Sequence, residues 1–148
     1  MKILFVCYGN ICRSPMAEMI FKDLLYKNHI KFLADAESKG VSMEELGNDI
    51  YPKAKAKLIE KGITVERHIA RQVKKEDYNK YDLIIAMEQS NIDDLLYIFK
   101  DDKDNKIRLL LDRDISDPWY TDDFESTFND LYLGCEKLIK ELLNDWRI

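Results

Sequence analysis

The segment CYGNICRS, Cys7 to Ser14, sets a thiol and a guanidinium six positions apart across a loop containing Gly9 and Asn10. Those residue types suit phosphate chemistry. The N–H groups of a loop that leaves a strand and enters a helix can curl into an anion nest, and the helix N-terminus adds positive potential. Gly9 and Asn10 are residue types that tolerate the positive φ such a curl requires. The planar fork of Arg13 can hold two oxygens of one phosphate, which lysine cannot do. Cys7 lies at the centre of that field, which favours a thiolate, and a thiolate beneath a bound phosphate is placed to attack it. The alternative for this stretch is a plain glycine turn with a buried cysteine.

A departing ester oxygen needs a proton, which a carboxylic acid beside it can supply. Asp117, in SDPWY from Ser116 to Tyr120, is the best candidate, with Pro118 stiffening the backbone after it. Trp119 and Tyr120 offer flat walls to an aromatic substrate. Spacing alone leaves open a surface Asp-Pro turn beside a core tryptophan.

Positioning these groups calls for a strand before Cys7 and a helix after Ser14. Lys2–Val6 (KILFV) is a short apolar run of the kind that makes a buried strand. Ser14 followed by Pro15 predicts an N-cap and a first helical residue, with the helix running to Lys27. Further along, strands are expected at 32–36, 81–87 and 107–111, and helices over 52–61 and from a Ser90 cap. Residues 114–120 read as a loop, and a last helix is expected from near Thr121. Its Phe124, Phe128, Leu131, Cys135, Leu138 and Leu142 make a core stripe, so Cys135 reads as a small buried hydrophobe. Strands alternating with helices predict an α/β single domain over residues 1–148, a doubly wound parallel sheet of three or four strands with helices on both faces. Ligands of such sheets bind beyond the strand C-termini, where Cys7 falls.

Composition narrows the function classes. The chain has 148 residues, 46% of them apolar, so one core can form. A formal charge of −5 argues against non-specific nucleic-acid binding. The longest uncharged stretch, Ile3–Cys12, is about half of the roughly 20 residues a membrane span needs, and its Cys7 and the following Arg13 do not suit a secretory signal. Three cysteines and no CxxC pair suggest a reducing, cytoplasmic setting and no zinc site.

With these residues in view, the chain resembles the low-molecular-weight protein tyrosine phosphatases along nearly its whole length. VCYGNICRSPMAE, Val6 to Glu18, departs from the usual family wording mainly at Tyr8. Asp117–Pro118 matches the family's Asp-Pro loop; HIARQ at 68–72, KED at 75–77 and MEQSN at 87–91 resemble family segments in the same order. The resemblance implies the four-stranded member of the predicted fold class and hydrolysis of phosphotyrosine through a cysteinyl-phosphate. Cys7 would be nucleophile, Arg13 the clamp on the phosphate oxygens, and Asp117 first acid and then base. The loop residues Gly9, Asn10, Ile11, Cys12 and Ser14 would bind the phosphate, Ser14 also donating to the Cys7 sulfur. Asn10 would be held by Ser38 and His68, while Tyr8, Trp119, Tyr120 and Glu44 would line the mouth. Cys12 would form a protective disulfide with Cys7, since a neighbouring thiol can trap a sulfenic acid. No cofactor or metal is expected, because Arg13, the N–H nest and the helix dipole supply the positive field. Expected partners are phosphotyrosine proteins, with inorganic phosphate and oxyanion analogues as ligands, and a monomer or weak self-association. Lys39 interrupts the family's small-residue segment after Ser38, Trp119 stands where many relatives have Tyr, and Glu88 stands where Asp is usual. The longer arm of Glu88 leaves it outside the expected site.

Three rivals remain at this level. An arsenate reductase would need relay thiols, yet no cysteine lies between Arg13 and Gly134. A phosphoarginine phosphatase would often carry Thr where Ile11 stands. A phosphate-binding module would lack either the nucleophile or the acid, yet both Cys7 and Asp117 are present.

Overall fold

The computed structural model describes residues 1–147. The elements run β1 (Lys2–Cys7), α1 (Arg13–Lys27), β2 (Asp35–Gly40), α2 (Pro52–Glu60), a 3-10 turn (Lys75–Lys80), β3 (Leu83–Ala86), α3 (Gln89–Phe99), β4 (Ile107–Leu109), α4 (Pro118–Thr121) and α5 (Phe124–Arg147). The four strands form one sheet in the order β2-β1-β3-β4, and every pairing is parallel. Parallel neighbours need crossover connections, which the helices supply.

Alternation along β1 explains the layering. Ile3, Phe5 and Cys7 point to one face, into a core built with α1, α2 and α5. Leu4 and Val6 point to the other, with Tyr78, Leu95 and Phe99 from the 3-10 turn and α3. Both faces are therefore covered, as the apolar run requires. The α5 stripe from Phe124 to Leu142 is buried as expected, and Cys135 is completely enclosed, its Sγ 3.6 Å from the Ala17 carbonyl. From β1 the chain winds outward to β2, then returns across β1 to β3. The sheet reverses its winding at β1, and a crevice opens at the C-termini of the strands there.

Several boundaries differ from the sequence reading, for physical reasons. β2 starts at Asp35, three residues later than expected, and ends at Gly40. Exposed Phe32 drew the expectation early, while the true strand carries buried Ser38 and Lys39, which no apolar pattern reveals. α1 starts at Arg13, so Ser14 is inside the first turn and caps nothing. α3 starts at Gln89 rather than from a Ser90 cap; the Asn91 side chain accepts from the Glu88 N–H at 3.1 Å. The segment expected as a loop at 114–120 ends in the one-turn helix α4, capped by Asp117. Asp122, with φ of 58°, then breaks the chain before α5, which begins three residues beyond Thr121. Among the described residues no helix is long and apolar enough to cross a membrane.

Candidate active site

The loop between β1 and α1 folds back over the end of β1. Asn10 takes φ of 60°, the one left-handed residue of this loop. Gly9 does not share it. What Gly9 supplies is room, because a Cβ there would lie 3.3 Å from Glu45 Cγ. Gly40 is tighter still: its Cβ would sit 2.7 Å from the Tyr8 carbonyl oxygen. The end of β2 thus presses directly on the loop, which only glycine permits.

The Cys7 sulfur is buried, with the Ser14 hydroxyl at 3.0 Å and the Asn10 N–H donating at 3.3 Å. Ser14 accepts from the Asn10 side-chain amide at 2.8 Å, which leaves its own hydrogen for the sulfur. The same amide donates to Ser38 Oγ at 3.0 Å, and Ser38 donates to Glu18 at 2.7 Å. His68 Nε2–H donates to the Asn10 carbonyl at 2.6 Å, and the Arg71 N–H donates to the Asn10 side-chain oxygen at 3.0 Å. Asn10 is wholly buried and every polar group in this network has a partner, so the loop is locked before any ligand arrives.

Arg13 is 1% exposed, at the base of the cleft. Its Nη1 donates to the Ile115 carbonyl at 2.8 Å. Its Nη2 reaches both Asp117 Oδ2 and Glu88 Oε1, each at 3.3 Å. Burial opposes the guanidinium charge, but Cys7, Asp117 and Glu88 outweigh it and hold Arg13 above its ordinary range. Cys12, also buried, goes the other way. Burial first, then the charges of Cys7 and Asp117, push its thiol up to about 12. It is therefore fully protonated at neutral pH.

Asp117 caps α4, its Oδ1 accepting from the Trp119 N–H at 3.0 Å while Oδ2 meets Arg13. Trp119 and Tyr120 stay exposed at the mouth. The Trp119 ring is braced edge-on by Tyr51, 5.1 Å between centroids, and Tyr51 stacks on Phe124. Cys7, Tyr8, Gly9, Ile11, Cys12, Arg13, Asp117, Trp119 and Tyr120 line one cleft together with Glu44 and Glu45. Asn10, Ser14, Ser38 and His68 stand behind it. A cleft with a thiol at its floor, a buried guanidinium beside it and a carboxyl group at its rim can bind a tetrahedral anion and pass its central atom to sulfur.

The sequence profile described as "Low molecular weight phosphotyrosine protein phosphatase" matches residues 2–147. The chain belongs to the low molecular weight phosphotyrosine protein phosphatase family. It is 37% identical over 147 residues to the low molecular weight protein-tyrosine-phosphatase YfkJ of Bacillus subtilis, covering 95% of this chain and 94% of that one. The crystal structure of YfkJ superposes with a TM-score of 0.94 at 36% identity, covering 98% of this chain and 96% of that chain. The low molecular weight phosphotyrosine protein phosphatase of Homo sapiens is 35% identical over 154 residues, covering 95% of this chain and 92% of its own length.

Within this family the chain's departures acquire structural reasons. Lys39 does not disturb Ser38, because adjacent strand residues point to opposite faces. It is buried on the far side, paired with Asp77 at 2.9 Å, and Asp77 in turn accepts from the Lys74 N–H. Glu88, expected outside the site, is in it: it meets Arg13 and is itself steadied by the Ser90 hydroxyl at 3.1 Å. Glu18 is a second residue that the sequence reading left without a role. Its place at the end of VCYGNICRSPMAE, one helical turn beyond Ser14, is the signal the sequence carries for it. Tyr8 gives its hydroxyl to Glu44 at 2.8 Å, tying the loop to the segment after β2.

Proposed function

We propose that this enzyme hydrolyses phosphotyrosine in proteins, and small aryl phosphates, through a cysteinyl-phosphate intermediate. The Cys7 thiolate attacks phosphorus; the S–P bond forms as the P–O bond to the phenol breaks. Asp117 gives its proton to the departing phenolate. It then takes a proton from water, which attacks phosphorus and releases inorganic phosphate and the Cys7 thiolate. Arg13 and the loop N–H groups of Gly9, Ile11, Cys12 and Ser14 hold the phosphate oxygens as charge develops, while the Ser14 hydroxyl donates to the Cys7 sulfur. Asn10, held by Ser38 and His68, keeps the loop open to the anion. Tyr8, Trp119 and Tyr120 flank the phenyl ring. Phosphate and its oxyanion analogues bind the same cradle. We read residues 1–148 as one catalytic domain of a cytoplasmic enzyme that is a monomer or associates weakly.

The observation that carries this reading is the Cys7 sulfur held by Ser14 and Asn10 beside an Arg13 guanidinium that also touches Asp117. Depth gives the substrate preference: Cys7 is 3% exposed, and a phosphate on a short serine side chain cannot reach it past Trp119 and Tyr8. Steady-state kinetics on one peptide carrying either phosphotyrosine or phosphoserine tests the reading. Turnover of the first without the second is expected; equal turnover of both would overturn it.

Cys12 completes the proposal as the guard of the nucleophile. Peroxide converts the Cys7 thiolate to a sulfenic acid, which condenses with the Cys12 thiol to give a disulfide and water. Mass spectrometry after mild peroxide should find a Cys7–Cys12 bridge. Sulfonic acid on Cys7 with no bridge would reject this role.

A further inference from the structure

Glu44 and Glu45, from the segment that follows β2, form part of the cleft lining. Both carboxylates are held by neutral donors. The Tyr8 hydroxyl donates to Glu44 Oε1 at 2.8 Å, and the Asn48 amide donates to Glu45 Oε2 at 2.6 Å. Such bonds fix a carboxylate in place without cancelling its charge. Among the described residues neither forms an ion pair. Arg13, the cation that lines the same cleft, is committed to Asp117 and Glu88. Glu45 also lies against Gly9 of the nucleophile loop, and its charge is felt at the cleft floor, where it helps to raise the Cys12 thiol. An anion-binding cleft with two uncompensated negative charges at its lip is electrostatically incomplete. A cation brought by the substrate completes it.

We infer that Glu44 and Glu45 select the protein substrate, favouring phosphotyrosines flanked by lysine or arginine and opposing those flanked by aspartate or glutamate. This deepens the phosphatase reading and rests on it. Phosphate recognition stays with the buried loop, while the residues beside the phosphotyrosine meet the acidic lip. Complementary charge speeds productive encounter, and like charge brought face to face costs affinity. Because Glu44 is exposed and Glu45 half-buried, the effect is open to screening by salt.

The test uses three phosphotyrosyl peptides that differ only in flanking residues, Lys, Gln or Glu. At low ionic strength kcat/KM should favour the Lys peptide over the Glu peptide by about tenfold, the scale of a few exposed charge pairs. High salt should compress the ratio. The Glu44→Gln/Glu45→Gln double variant, which keeps both hydrogen-bond acceptors, should bring the two peptides within about twofold of each other. The Glu44→Lys/Glu45→Lys double variant, which turns two negative charges into two positive ones, should reverse the order. Equal kcat/KM for all three peptides on the unaltered enzyme, or a ratio untouched in the double variant, would overturn the inference while leaving the phosphatase reading standing. Hydrolysis of none of the peptides would overturn both. The peptide series needs no variant, so the inference stays testable even if a substitution fails to fold.

Discussion

Cys7→Ser is expected to abolish turnover and to leave the cleft able to bind its ligand. A serine hydroxyl is not ionised at neutral pH and is a poor nucleophile towards a phosphate dianion. The loss should be roughly four decades or more, the scale seen when an enzyme loses its nucleophile. Binding has a different origin. The N–H groups of Gly9, Ile11 and Cys12, Arg13 and the start of α1 do not depend on sulfur, and the Asn10–Ser14–Ser38 network lies behind the loop and survives the change. Replacing a thiolate by a neutral hydroxyl also removes a negative charge from beneath the dianion, so affinity should be equal or tighter. Calorimetric titration with a phosphotyrosyl peptide measures this directly. Turnover close to that of the unaltered enzyme would remove Cys7 from the mechanism.

Asp117→Asn should slow hydrolysis of phosphotyrosine by roughly two to four decades, the usual range for lost general acid–base help. The substitution is chosen for what it keeps. Asparagine can still accept from the Trp119 N–H and cap α4, so the wall at the mouth should stay in place. It cannot donate the proton, and it cannot balance Arg13. An aryl phosphate with a strongly acidic phenol needs little protonation of its leaving group, so its attack step should suffer far less. Single-turnover measurements with both substrates separate that step from hydrolysis of the intermediate. Unchanged rates on phosphotyrosine would mean that another group carries the proton.

The parts of this molecule that the sequence announces are those where pattern and purpose coincide. KILFV reads as a buried strand because nothing polar is asked of it, and the α5 stripe reads as core for the same reason. β2 is hard to see because it does two jobs. Its Ser38 hydroxyl serves the nucleophile loop and its Lys39 is neutralised by Asp77, so buried polar groups stand where apolar ones would have marked a strand. Ser14 misleads in a similar way. Ser-Pro is a good start signal, but here the hydroxyl is spent on sulfur and the helix begins two residues earlier, at Arg13. Cys7, Arg13 and Asp117 are legible as a set of types. That Asn10, Ser38 and His68 belong with them came from the family resemblance, since 58 residues separate Asn10 from His68 and no local spacing connects them. Glu88 was missed because one acidic residue among 28 carries no label. Only the fold, which places the start of α3 beside Arg13, singles it out.

The bracing of Trp119 by Tyr51, and of Tyr51 by Phe124, has a consequence for how such an enzyme can diversify. The aromatic panel is hung from the residue before α2, from α4 and from the first turn of α5, whereas the anion cradle belongs to the β1–α1 loop. The two halves are carried by different segments of the chain. A ring in the panel can therefore be exchanged for another, altering which leaving group it welcomes, without disturbing the loop that grips the anion.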